Sequence, residues 1–273
     1  MSIPFEDNVS DIIGKAQRGL AVSDSQLAER AGVSAEKVRR LREGSFDDDT
    51  VERAAPFLKL DATALRKLAA GKWSPETIGE IDGLAQFNTT FGDMTVNAYL
   101  VWDPSTREAV AFDTGADCGG MLQRIEQGRL SVKLILLTHA HPDHVADLRR
   151  LRKATGAPVY LSKLEGAEGA EEVEEGKRFR VGSLEIEARL TSGHSPGGMT
   201  FVVTGLSRPV AIVGDSLFAG SMGGGNVSYE DALRNNREKI LTLPDETIVC
   251  PGHGPLTTVG KEKRDNPFFA MHR

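Results

Sequence analysis

The run Thr138-His139-Ala140-His141-Pro142-Asp143-His144 places three imidazoles and a carboxylate within six consecutive positions. Half of the six histidines in the chain stand here, directly after the apolar stretch Val132-Lys133-Leu134-Ile135-Leu136-Leu137. Neutral imidazole and carboxylate together form a nitrogen-and-oxygen donor set suited to zinc, iron or manganese. Three further polar loops follow apolar, strand-like runs. His194 lies in Thr191-Ser192-Gly193-His194-Ser195-Pro196-Gly197-Gly198, Asp215 follows Ile212-Val213-Gly214, and His253 follows Ile248-Val249-Cys250-Pro251-Gly252. A glycine beside each lets the backbone turn sharply at a sheet edge. The chemistry that such groups perform together is binding and use of metal ions. Ser195 reads as a loop hydrogen-bonder rather than a nucleophile.

The elements that must position these residues are legible as period-two patterns. Met94, Val96, Ala98 and Leu100 alternate with their neighbours, Glu108 to Phe112 forms a second short strand, and Asp113-Thr114-Gly115 follows it. Helices are predicted over 117–127, 143–154 and 229–243, with strands at 158–161, 184–190 and 210–213 and a last strand at 247–250. The Glu-rich stretch from Glu165 to Glu175 reads as a solvated surface segment.

Residues 1–75 form a separate, helical region by this reading, and 76–273 the metal-bearing one, with Gly71-Lys72-Trp73-Ser74-Pro75 at the boundary. In the first region Leu20, Leu27, Ala28, Ala31, Val33, Val38 and Leu41 recur at helical spacing, and Ala54, Leu58, Leu60, Leu65 and Leu68 continue it. Gln26-Leu27-Ala28, the turn residue Gly32 and the capping Ser34 resemble a lambda-repressor-like helix-turn-helix. That resemblance makes 34–43 the reading helix, with Lys37, Arg39, Arg40 and Arg42 as DNA contacts. Glu29, Glu36, Glu43 and Asp47-Asp48-Asp49 interleave with these cations, so contact with protein or a second copy is the favoured use.

The bulk numbers fit this organisation. The 273 residues carry a formal net charge of −6, which gives no global basic field for nucleic acid. No apolar run approaches the roughly 18 residues that span a membrane. The acidic start lacks an apolar signal core, and Cys118 and Cys250 belong to no close-spaced motif, so a cytoplasmic chain with reduced cysteines is expected.

With His139 to His144 matching His-x-His-x-Asp-His and later loops at His194, Asp215 and His253, the pattern from about 84 to 266 resembles the metallo-beta-lactamase superfamily. The resemblance implies an α/β (α+β) fold, a four-layer αββα sandwich with metals at the edge where strands end. It implies two divalent ions per chain, zinc first, with iron or manganese as alternatives. His139, His141 and His194 would hold one, Asp143, His144 and His253 the other, and Asp215 both. A hydroxide shared by the ions would be the nucleophile, oriented by Asp143. Asp113 would accept a ligand imidazole N–H or simply cap the turn after its strand.

The run Pro251-Gly252-His253-Gly254-Pro255-Leu256-Thr257-Thr258, with Asp215-Ser216-Leu217-Phe218-Ala219-Gly220-Ser221, is similar to compact glyoxalase II-like thioester hydrolases. Their substrates are S-2-hydroxyacylglutathiones. The loop Met222-Gly223-Gly224-Gly225-Asn226-Val227 lacks the arginine and aspartate common in those relatives, and the extra C-terminal helical domain of larger glyoxalase II enzymes is not expected here. Another acyl-thiol or ester therefore stays open, with Asn226 and Tyr229 as candidate substrate contacts. The alternatives are a lactonase, a mononuclear-iron persulfide dioxygenase, and a DNA-binding regulator with a metal-sensing domain. A small-molecule thioester or ester is the expected partner, no membrane is involved, and a homo-oligomer is left open.

Overall fold

The computed structural model describes residues 3–166 and 169–270. The chain opens with five helices, each entered through a side-chain cap: α1 (Val9–Gly19), α2 (Asp24–Ala31), α3 (Ala35–Arg42), α4 (Asp48–Ala54) and α5 (Ala62–Ala69). Asn8, Ser23, Ser34, Asp47 and Asp61 accept the otherwise unpaired N–H groups of the first turns. The core pattern read from Leu20 onward misses α1. Its local signal is the reciprocal pair in which Asn8 accepts from Asp11 N while the Asp11 carboxylate accepts from Asn8 N.

Two six-stranded sheets follow, each from one continuous stretch of chain. The first holds β1 (Leu84–Phe91), β2 (Met94–Trp102), β3 (Glu108–Phe112), β4 (Ser131–Leu136), β5 (Val159–Ser162) and β6 (Glu171–Val173), in that order. The second holds β7 (Arg178–Val181), β8 (Leu184–Leu190), β9 (Met199–Thr204), β10 (Val210–Gly214), β11 (Ile248–Pro251) and β12 (Thr257–Thr258). Helices α6 (Gly119–Gly128), α7 (Pro142–Val145), α8 (Leu148–Thr155), α9 (Tyr229–Asn235) and α10 (Val259–Asp265) complete the chain.

Strand alternation sorts side chains between layers. Tyr99, Val101, Val110, Phe112, Leu136, Ile186, Phe201, Val203, Ile212 and Cys250 fill the space between the sheets. Leu100, Ala111, Ile135 and Leu137 face outward from the first sheet to Met121 of α6 and Leu151 of α8. Ala211, Val213 and Val249 face outward from the second sheet. Their cluster takes in Tyr229, Ile240 and Val259 and also Ile12, Leu27, Leu41, Leu58 and Leu65 of the N-terminal helices. The helical region and the outer layer of the second sheet thus share one apolar core.

Several elements differ from the sequence reading. The helix expected over 143–154 is two, α7 and α8, because Thr114 N and Oγ1 take the His144 carbonyl (2.8 and 3.1 Å). The one expected over 229–243 passes from α9 into a single π turn at Asn236–Ile240. The stretch Glu165 to Glu175 is not merely a solvated segment: it contains edge strand β6 with Val173 buried, 167–168 lying outside the described residues. A short strand, β12, also follows the expected last one.

Candidate metal centre

Asp113, the His139–His144 loop, Asp215 and His253 all follow the C-terminal ends of parallel strands β3, β4, β10 and β11, and His194 follows β8. Two donor groups converge there. One is His139, His141, His194 and Asp215, the other Asp143, His144 and His253, and within each group the donor atoms lie within 4.8 Å of one another. Asp215 stands between them. Its Oδ2 is 3.3 Å from His194 Nε2 and 3.4 Å from His253 Nε2, and its Oδ1 is 3.3 Å from His144 Nε2. Gly252 makes this approach feasible, since a Cβ there would collide with Asp215 Oδ1.

Hydrogen bonds fix which ring nitrogen of each imidazole faces inward. His253 Nδ1 donates to the Thr95 carbonyl (2.7 Å) and His194 Nδ1 to the Gly224 carbonyl (3.1 Å). His144 Nδ1 donates to Asp113 Oδ2 (2.9 Å). Thr138 Oγ1 gives its proton to Asp113 Oδ2 (2.8 Å) and therefore accepts from His139 Nδ1 (3.0 Å). In each case Nε2 is the nitrogen left facing the site. His139 Nε2 and His194 Nε2 in turn lie 3.0 and 3.1 Å from His141 Nδ1. Lone pairs drawn this close need a cation or a proton among them.

The donor chemistry fits divalent metal. His144 Nε2 and Asp215 Oδ1 are buried without a hydrogen-bond partner, which is costly unless a cation satisfies them. Burial, reinforced by neighbouring imidazoles, holds His139 well below the ordinary histidine range, which keeps it a neutral donor; burial lowers His194 as well. Burial opposes charge on His144 and His253, but Asp215 together with Asp113 at His144, and with Asp143 and Glu6 at His253, outweighs it and lifts them to about 10 and 11. Burial would also raise Asp215, yet His144 and His253 hold it well below the usual carboxylate range. Without metal those two imidazoles carry protons, and an ion competes for the same Nε2 positions.

Two side chains outside the sequence-read set also shape the site. Glu165, placed by its sequence in the solvated run, accepts from Ala140 N (3.1 Å) and Gly197 N (2.7 Å), clamping the His139–His141 loop to the His194 loop. Asn97 donates to the Pro251 and Gly254 carbonyls (3.0 and 2.8 Å) and holds the His253 loop. Charge density cannot reveal such distant backbone partners. Ser195 Oγ is buried with no hydrogen-bond partner, so the expected loop bond is made by its backbone carbonyl, which accepts from Gly193 N (3.1 Å).

The remaining candidates are dispersed. Asn226 is exposed on the loop that holds His194. Tyr229 is buried against Gly19 of α1, where burial pushes its hydroxyl up to about 12. Lys37 faces Asp47 and Asp49 (3.8 Å each), Arg39 pairs with Glu36 and Glu43, Arg40 pairs with Glu36 (3.2 Å), and Arg42 donates to Gln17 (3.1 Å). Cys118 and Cys250 are buried free thiols, and burial pushes Cys118 up to about 12. No helix among the described residues is long and apolar enough to cross a membrane.

Known proteins share this arrangement of elements. The family model described as the metallo-beta-lactamase superfamily matches residues 91–253. Hydroxyacylglutathione hydrolase GloC of Haemophilus influenzae is 32% identical over 198 residues, which span 63% of this chain and 92% of that protein. ETHE1 from Myxococcus xanthus superposes with a TM-score of 0.61 at 28% identity, covering 69% of this chain and 86% of its own. TTHA1623, solved in a di-iron-bound form, superposes with a TM-score of 0.56 at 32% identity, covering 67% and 100%.

Proposed function

The chain belongs to the metallo-beta-lactamase superfamily, and on that premise we propose a dinuclear metal-dependent hydrolase of thioesters, of the hydroxyacylglutathione type. The observation that carries this reading is the pair of donor groups with Asp215 between them and the inward nitrogens fixed by outer partners. His139 Nε2, His141 Nδ1 and His194 Nε2 would hold one ion, Asp143, His144 Nε2 and His253 Nε2 the second, and Asp215 would serve both. Two bound divalent ions supply Lewis acidity to a carbonyl oxygen and bring the pKa of water toward neutrality.

The chain's own residues do the rest. Asp143, with 12% of its side chain exposed, accepts a hydrogen bond from the attacking water and orients it. Asp113, through Thr138 and His144, keeps two imidazoles from rotating. A thiolate leaves without a strong general acid, since thiol pKa values lie near 8.5. The likeness to hydroxyacylglutathione hydrolase GloC supports this bond type, and the di-iron form of TTHA1623 supports two ions, with zinc or manganese as other occupants.

The test is a hydrolysis panel of acyl-glutathione, acyl-CoA and homoserine lactone substrates with metal-reconstituted chain. Thioester cleavage is expected, with His139→Ala and Asp215→Ala each lowering kcat/KM by at least about 10³-fold through loss of metal and nucleophile. Lactone cleavage alone would move the assignment to a lactonase. A single iron per chain with oxygen uptake would replace hydrolysis by oxidation.

A further inference from the structure

The segment ahead of α1 lies along the loop that carries His253. Glu6 Oε2 is 3.8 Å from His253 Nδ1. Glu6 N and the Pro4 carbonyl stand 3.3 and 3.6 Å from where a side chain on Gly254 would begin, so the segment rests against that loop's backbone. Asp7 accepts from Ser221 Oγ and pairs with Lys15 of α1. Lys15 donates to the Met222 carbonyl (2.9 Å) and sits 5.1 Å from the centre of the Phe218 ring, which meets the His253 ring at 5.8 Å. Phe5 packs on Trp73 with ring centres 5.5 Å apart. The segment is thereby fastened to the loop after Asp215 and turns a carboxylate toward a candidate ligand.

We propose that Glu6 is a positioning residue for the second ion, acting through His253, so that docking of the N-terminal segment and loading of that ion are coupled. This rests on the dinuclear reading above. The His253 Nδ1 proton already belongs to the Thr95 carbonyl, so Glu6 acts as a nearby negative charge and not as a second acceptor. An anion beside Nδ1–H makes the ring a better donor at Nε2. Glu6 lies outside the family match, and the match to GloC takes in nearly all of that protein while leaving more than a third of this chain without a counterpart. The charge is therefore supplied from outside the matched residues 91–253. By linkage, what the carboxylate gives to metal affinity the metal returns to docking of the segment.

The test titrates metal-free, full-length chain with Zn²⁺ against a chromogenic chelator, and with Co²⁺ for its ligand-field spectrum. Glu6→Gln is expected to weaken the second ion several-fold, short of the roughly 10–100-fold seen for directly bonded outer partners, and to leave the first unchanged. Glu6→Asp restores part of the loss. In the wild type, loading slows proteolysis of 1–20 by a similar factor, and Glu6→Gln removes that protection. Two-ion titration of Glu6→Gln identical to wild type overturns this proposal alone. Loosening of both ions together with a lowered Tm also overturns it, since the residue would then be scaffold. Wild-type chain that holds a single ion overturns the dinuclear reading and this proposal with it.

Discussion

Asp113 ends β3 with a left-handed backbone (φ 55°), a conformation non-glycine residues seldom adopt and aspartate tolerates through local hydrogen bonding. That turn aims its carboxylate at Thr138 N (2.7 Å), Thr138 Oγ1 and His144 Nδ1 together. One side chain thus fixes two candidate ligands from beneath. Asp113→Asn keeps the tolerance for this backbone but gives up an acceptor. Second-ion affinity is expected to fall about 10–100-fold with Tm little changed, as measured by chelator competition and thermal melts. Unchanged affinity would reduce Asp113 to a turn cap.

Among the elements, α10 carries a buried acid that sequence reading passes over. Glu262 accepts from Gly220 N (3.0 Å), Thr257 Oγ1 (2.7 Å) and Asn266 Nδ2 (2.8 Å), joining helix, strand and the loop after Asp215. Burial pushes its carboxyl up to about 7. Between pH 4.5 and 7 the folded chain therefore keeps a proton that the unfolded chain has lost. Stability falls as pH rises through that window, by roughly 3 kcal/mol in total. Glu262→Gln, neutral throughout, should lose less stability than wild type between pH 5 and 8 in urea denaturation. Parallel pH profiles for the two chains would show that the native carboxyl is already ionised at pH 5.

How legible these elements are in the sequence follows from how local their causes are. β2 and β8 are readable because alternation is written into consecutive residues, and β10 because both its faces are covered, Val210 and Ile212 in the inter-sheet space and Ala211 and Val213 in the outer layer, which leaves an unbroken apolar run. The His139–His144 cluster stands out for the same reason, its donors being nearly adjacent. β6 hides because an edge strand of three residues carries too little pattern. Glu165 and Glu6 hide because their partners lie 25 or more residues away, and Glu262 because its tie to Gly220 spans 42 residues, where only the folded chain brings charge and N–H or imidazole together.

For the whole molecule, the shared core of the N-terminal helices and second sheet predicts one cooperative unit. The chain has two tryptophans, and Trp73 sits at the seam between Phe5, Gly220 and Lys261. In a Trp102→Phe background, Trp73 fluorescence should change at the same urea concentration as far-UV circular dichroism. An earlier fluorescence change would mean that the helices detach before the sandwich melts.

The two sheets are built from consecutive halves of the strand order, β1–β6 and β7–β12, and residues 174–177 are the strand-to-strand passage between them. The candidate ligands do not respect that division: His139, His141, Asp143 and His144 come from the first half, and His194, Asp215 and His253 from the second. Bound ions would therefore rivet together what the polypeptide merely strings in sequence. Occupancy then certifies assembly. A nascent or half-mated chain would hold only part of the cage, and the proposed hydrolysis would stay unarmed until both halves had closed on each other.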